Sequence, residues 1–220
     1  MSQDLATRAR ALAEQLHTGQ VRKGTGRSYL DGHLEPVAEL VRGSGGSDVQ
    51  IAAAYLHDAA EDCGGRPVLD RIATEIGPDV ATIVEHVSDS LVDTTHDAPK
   101  EDWQVRKRRY LHDLAAAPDE VLEVSVADKL HNARSLLGDY RAAGPETWAR
   151  FNERRPEYQL WYYVSLAQVF GRRIPDHPLT DPLDQCLDDL LTHVRQDVPD
   201  IDDRLARATA ELSGPPDGPH

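Results

Sequence analysis

Apolar residues fall at helical intervals along most of the chain. Over residues 3–20, Leu5, Ala9, Leu12, Ala13 and Leu16 share one face, the period of a helix that turns one side to a core. The same reasoning predicts helices over 34–42 and 48–62, separated by Gly43-Ser-Gly-Gly-Ser, which has the composition of a flexible turn. A short helix follows over 69–76, closed by Gly77-Pro78, then one over 79–88 with Val80, Ile83, Val84 and Val87 facing inward. Helices are predicted over 102–116 and 119–137 around Pro118, over 145–170 with Trp148, Phe151, Trp161, Tyr162 and Phe170, and as a final pair over 182–195 and 200–212. Three glycines between Gly24 and Gly32 mark a loop, residues 89–101 show no period and read as a mobile loop near the site, and Ser213 to His220 is a tail too polar to bury a core. The expected fold class is therefore all-α, and no repeat of solenoid period interrupts it.

Polar groups on this apolar background point to chemistry. Residues 55–62, Tyr-Leu-His-Asp-Ala-Ala-Glu-Asp, set His57 beside Asp58 and follow them with Glu61 and Asp62. On a helix His57 and Glu61 are one turn apart, as are Asp58 and Asp62, so the four can line one groove. Chance also produces a bare His-Asp pair, and a salt-bridged helix face is the plain alternative. Two further segments strengthen the metal reading. Val124-Ser-Val-Ala-Asp128-Lys-Leu-His131-Asn132 repeats the acid, imidazole and amide groups, and His33 opens an amphipathic run. His33, His57, Asp58 and Asp128 together make a mixed nitrogen and oxygen set, suited to manganese, iron or zinc rather than calcium.

The ordered motifs His17-x-Gly-Gln-x-Arg22-Lys23, Gly26-x-x-Tyr29, His33, His57-Asp58-x-x-Glu61-Asp62 and Asp128-Lys-Leu-His-Asn132-x-Arg resemble the HD hydrolase module of the RelA/SpoT family. The similarity is greatest to its small stand-alone hydrolases, which remove the 3′-pyrophosphate from guanosine tetra- and pentaphosphate, and runs from about residue 6 to about residue 170. The resemblance implies an HD-domain helical bundle, with hydrolase residues 1–172, a C-terminal helical extension over 173–212 packed on it and a disordered tail over 213–220. With only a short tail left, no synthetase domain is expected to follow. The family reads Tyr-Ile-x-His-Pro, whereas here one residue is inserted between Tyr29 and His33 and Leu34 replaces the proline. The imidazole keeps its distance from Val37-Ala38, and the changed loop bears on the nucleobase pocket.

The resemblance assigns roles by position. His33, His57, Asp58 and Asp128 would hold one divalent ion, most simply Mn2+. Glu61 and Asp62 would handle the proton of the attacking water, their crowded charges raising the pKa of one of them. Arg22, Lys23, Lys129, Asn132 and Tyr162 would contact the nucleotide. Each has a plain alternative: a solvated helix end for Arg22-Lys23, helix-surface polarity for Lys129 and Asn132, and a core aromatic for Tyr162. His17 reads as a hydrogen-bonded structural histidine, and His86, His96, His112, His177, His193 and His220 as surface residues.

Composition narrows the partners. With 220 residues and 40% of them hydrophobic, the chain can bury a sizeable core. Its net charge of −14 argues against nonspecific nucleic-acid binding, while Arg22, Lys23 and Arg27 concentrate positive charge where a small polyanion could bind. No secretion signal or membrane-spanning run is evident, so a cytoplasmic enzyme of a small nucleotide is expected. Cys63 and Cys186 lack metal-ligand spacing, and Cys63 reads as a small, half-buried thiol. Oligomeric state is open. Two other readings survive: an HD phosphohydrolase of a deoxynucleotide, nucleoside monophosphate or NADPH, and a noncatalytic nucleotide-binding regulator.

Overall fold

In the computed structural model, residues 2–22, 26–92 and 101–214 are described. They form α1 (Ser2–Leu16), α2 (Glu35–Gly43), α3 (Asp48–Leu56), α4 (Ala59–Cys63), α5 (Arg66–Glu75), α6 (Pro78–Val87), α7 (Trp103–Ala116), α8 (Asp119–Ala143), α9 (Pro156–Arg173), α10 (Thr180–Asp197) and α11 (Ile201–Leu212). Among the described residues the only extended pairing is a single antiparallel bridge between Val21 and Ser28. The all-α expectation holds. The expected mobile loop and disordered tail fall largely on 93–100 and 215–220, outside the described residues, as does Lys23.

The chain divides into two compact units, Met1–Lys100 with Ala116–Asp128, and Glu101–Ala115 with Lys129–His220. In the first, α3 packs against α1, α2 and α6. Ala52, Ala53, Ala54 and Leu56 are completely buried, together with Leu34, Val37 and Ala38 before and within α2. Small alanines let neighbouring helices approach α3 closely, so its C-terminal end sits deep in the core. In the second unit α9 packs against α10 and α11, burying Trp161, Leu166, Phe170, Leu183, Leu190 and Ile201.

Several boundaries differ from the periodicity. Helix α1 stops at Leu16, because Gly19 takes φ +78 and the Thr18 hydroxyl donates back to the Glu14 and Gln15 carbonyls. The segment expected as one helix over 48–62 is broken at His57–Asp58. Residues 145–170 also split: Gly144–Arg150 forms a 3-10 turn and α9 starts only at Pro156, a residue suited to a first turn. Helix α8 runs on to Ala143.

The Gly43–Ser47 connection is a defined turn rather than a flexible one. A Cβ on Gly46 would lie 2.5 Å from Val41 Cγ1 and 2.9 Å from the Val41 carbonyl, so only glycine fits. Ser47 and Gln50 then form a reciprocal cap: the Gln50 N–H donates to Ser47 Oγ at 3.3 Å and the Ser47 N–H to Gln50 Oε1 at 2.8 Å. The buried Gln50 amide donates to the Glu120 carbonyl at 3.3 Å and to Glu123, fastening the start of α3 to the start of α8. That contact sets the two segments carrying His57 and Asp128 side by side.

Candidate active site

Local irregularities deliver His33, His57 and Asp58, while Asp128 comes from within the regular helix α8. Leu30–Leu34 forms a π-helical turn in which the Glu35 N–H bonds to the Leu30 carbonyl, five residues back. A π turn holds one residue more than an α turn, and such insertions are frequent at functional sites. It accommodates the extra residue between Tyr29 and His33 and runs directly into α2. Glu35 then anchors the junction, accepting from Tyr55 Oη at 2.7 Å and Arg10 Nε at 2.8 Å. His33 emerges with 1% exposure.

The break after Leu56 serves the next two residues. Neighbouring residues on an α-helix diverge by about 100°. Interrupting the helix, with Asp58 at φ −92 and ψ −6, allows His57 and Asp58 to address the same point. His57 Nδ1 lies 2.7 Å from the Ala54 carbonyl, so that nitrogen carries the proton it donates, and Nε2 presents its lone pair.

Four polar atoms converge. His33 Nε2 and His57 Nε2 are 3.1 Å apart. Asp58 Oδ2 lies 3.2 Å and 3.1 Å from them, and Asp128 Oδ1 lies 3.3 Å and 3.4 Å from them. His33, His57 and Asp58 form the tightest group, and Asp128 adjoins it through the two imidazoles. Donors held about 2.1 Å from a common ion stand about 3.0 Å apart at octahedral right angles and about 3.4 Å apart at tetrahedral angles. The spacing among His33, His57 and Asp58 therefore suits a shared divalent ion, and Asp128 stands beside both imidazoles.

Without an ion, the carboxylates govern protonation. Burial acts against charging His57, but the Asp58 and Asp128 carboxylates overcome it and hold the imidazole well above its ordinary value. Burial likewise opposes ionised Asp58, and the facing imidazoles hold it well below the usual carboxylate range. The remaining expected residues lie on several elements. Glu61 and Asp62 lie on α4, Glu61 half-buried and Asp62 exposed. Arg22 has its guanidinium carbon 5.9 Å above the Tyr29 ring. Asn132, half-buried, follows Asp128 by one turn of α8, and Lys129 Nζ lies 5.2 Å above Tyr110. Tyr162 is buried among Trp103, Tyr110 and Tyr163, with Lys107 Nζ 4.8 Å above its ring.

The motif reading named Tyr29 but gave it no role. Its hydroxyl donates to Asp58 Oδ2 at 2.6 Å, and burial beside that carboxylate raises its pKa, so it stays protonated. Its spacing from His33, one turn in an ordinary helix, was the available signal. His17 is hydrogen-bonded as expected, Nδ1 lying 2.8 Å from Gln20 Oε1. The half-buried Cys63 thiol is pushed up to about 11 by burial, with the Asp62 charge adding to it. Among the expected surface histidines His86 and His112 are exposed, while His177 and His193 are half-buried.

The HD domain family pattern matches residues 9–155. This chain belongs to the HD domain family. A Synechocystis protein named "Probable guanosine-3′,5′-bis(diphosphate) 3′-pyrophosphohydrolase" is 37% identical over 133 residues, covering 60% of this chain and 17% of that protein. The Drosophila melanogaster "Guanosine-3′,5′-bis(diphosphate) 3′-pyrophosphohydrolase MESH1" is 32% identical over 111 residues, half of this chain and 53% of its own. The chain thus spans about a sixth and about half of these relatives. Among solved structures, one described as a metazoan ortholog of SpoT that hydrolyzes ppGpp superposes with a TM-score of 0.65 at 22% identity, over 84% of this chain and 94% of its own. That likeness establishes the shared helical fold. No helix among the described residues is long and apolar enough to cross a membrane.

Proposed function

We propose that this protein is a metal-dependent hydrolase that removes the 3′-pyrophosphate from guanosine 3′,5′-bis(diphosphate). The observation that carries the reading is the close grouping of His33 Nε2, His57 Nε2 and Asp58 Oδ2, at spacings that suit a divalent ion, with Asp128 Oδ1 beside both imidazoles. The substrate comes from the names of the relatives that share the motifs. These four residues would hold the ion; the mixed nitrogen and oxygen donors suit manganese, iron or zinc, and we take Mn2+ as the working ion. A divalent ion there supplies Lewis acidity, lowering the pKa of water and polarising the phosphoryl oxygen.

The chain's own groups do the rest. Glu61 and Asp62, one helical turn beyond His57 and Asp58, take the proton from the water that attacks phosphorus and return one to the ribose 3′-oxygen as its bond to that phosphorus breaks. Arg22, with Lys23, neutralises phosphate charge, and a guanidinium can meet two phosphate oxygens at once. Asn132 and Tyr162 contribute hydrogen bonds to the nucleotide. We assign this chemistry to residues 1–172 of a cytoplasmic enzyme, with 173–212 as a supporting extension.

The test is product analysis. Purified protein with Mn2+ should release pyrophosphate from guanosine tetraphosphate and leave guanosine 5′-diphosphate, resolved by ion-exchange chromatography. The extra residue ahead of His33 favours keeping a second reading in the same panel, an HD phosphohydrolase of another nucleotide. Inorganic phosphate from a monophosphate, with no cleavage of any 3′-pyrophosphate, would select it.

A further inference from the structure

The Asp58 carboxylate is the most exposed of the four converging groups, its side chain 22% accessible against 8% or less for the others. A carboxylate turns about a broad, roughly two-fold torsion. Nothing in its covalent geometry keeps Oδ2 aimed at the imidazole nitrogens, and water at the rim offers it other partners. Oδ2 nonetheless lies within 3.2 Å of both His33 Nε2 and His57 Nε2 while accepting a 2.6 Å hydrogen bond from Tyr29 Oη. A carboxylate oxygen has two lone-pair directions. Occupying one with the phenol leaves the other pointed at the convergence.

Tyr29 is itself held from several sides. Its ring stacks on His17, with centroids 5.0 Å apart and planes at 21°, and meets His33 edge-on at 5.3 Å. His17 is fixed in turn by Gln20, whose carbonyl accepts the Tyr29 N–H at 2.9 Å. On the other side of this arrangement Gly32, in the π turn, leaves room for the Arg22 stem: a Cβ there would lie 2.9 Å from Arg22 Cβ. The phenol is thus a rigid strut between the Arg22 segment and the carboxylate.

We propose that Tyr29 is a positioning residue for the metal centre, its hydroxyl fixing Asp58 Oδ2 in the ligating orientation. The inference rests on the metal reading above. Hydrogen bonds to ligating side chains orient them and raise metal affinity, and losing one typically costs about 10- to 100-fold.

The experiment is calorimetric titration of MnCl2 into metal-free wild-type protein and Tyr29→Phe, with the thermal midpoint of each metal-free protein measured alongside. Phe keeps the ring and its stacking on His17 and removes only the hydroxyl. The expected result is a Kd about 10- to 100-fold weaker in Tyr29→Phe, with the metal-free midpoint little changed. A purely structural role would do the reverse, lowering the midpoint at constant Kd, and would overturn the proposal. Equal affinity in a wild type that does bind metal removes Tyr29 alone. A wild type that binds no divalent ion removes the metal reading with it. Should Tyr29→Phe fail to fold, a structure of the manganese-loaded wild type decides: a hydroxyl within hydrogen-bond distance of Asp58 supports the proposal, and one turned away defeats it.

Discussion

Asp128→Ala isolates the metal from the fold. Asp128 is buried and faces both imidazoles, so its absolute effect on stability has no fixed sign. Removing a buried charge relieves desolvation but deprives His57 of a partner that helps raise its pKa. The metal-induced shift is cleaner, because ligand-free stability cancels from it. At a free concentration of about 100 Kd, an ion that binds only the folded chain stabilises it by about 2.7 kcal/mol. For a protein of this size that raises the melting midpoint by about 5 to 11 °C. Removing one of four protein ligands at spacings of 3.3–3.4 Å from its neighbours should raise Kd by about a thousandfold. At the same metal concentration the stabilisation then falls to about 0.06 kcal/mol, below detection. Differential scanning fluorimetry with and without MnCl2, paired with elemental analysis after dialysis, reads both quantities. A variant that keeps stoichiometric metal and the wild-type shift would exclude Asp128 as a ligand.

Metal affinity should climb with pH through the raised pKa of His57, since the ion must displace the proton that Asp58 and Asp128 stabilise there. Calorimetry in buffers of different ionisation enthalpy should detect that proton, and pH-independent binding without proton release would contradict it. The ion-free protein should show the complementary trend. The His57 contribution to stability is complete below the ordinary imidazole pKa and fades as pH rises through the raised one, whereas that of Asp58 is complete above the ordinary carboxylate pKa and fades as pH falls through the depressed one. Denaturant melts across pH test this, a flat profile counting against it. Glu61→Gln with Asp62→Asn should keep metal and lose about two to four orders of magnitude in kcat, and an unchanged rate would make both structural. Gly46→Ala should cost about 1 to 3 kcal/mol, because its Cβ would press on Val41 at 2.5 Å; an unchanged urea midpoint would show that the turn yields. Cys63, with its pKa pushed up to about 11 from 9.0, should alkylate about 100-fold more slowly at neutral pH than an unperturbed thiol, and fast labelling by iodoacetamide would refute that.

Much of this was legible in the sequence, and what was not has specific causes. The alanine-rich face of α3 and the ordered polar motifs announced a helical fold and the four converging groups, because periodicity and residue type act locally. The interruption at His57–Asp58 gave no warning. Neither glycine nor proline marks it, and the surrounding Tyr55, Leu56, Ala59 and Ala60 are good helix residues buried in the core. Tertiary packing overrides propensity there. The glycines of residues 43–46 suggested slack, whereas at Gly46 the missing side chain permits close contact with Val41. Tyr29 was visible as a landmark, but a hydrogen bond to a residue 29 positions away cannot be read from spacing.

The π turn also separates two properties that a sequence alignment would join. His33 takes its direction from α2 below it, where the Glu35 contacts to Arg10 and Tyr55 fix the phase. The π turn takes up one residue more than an α turn would, directly ahead of that fixed phase. On the proposed reading, lengthening or trimming the approach to His33 would move what faces the nucleotide and leave the His33 imidazole where it stands. Substrate choice in such a scaffold can drift by insertion and deletion, a route that point substitution of the ligands does not offer.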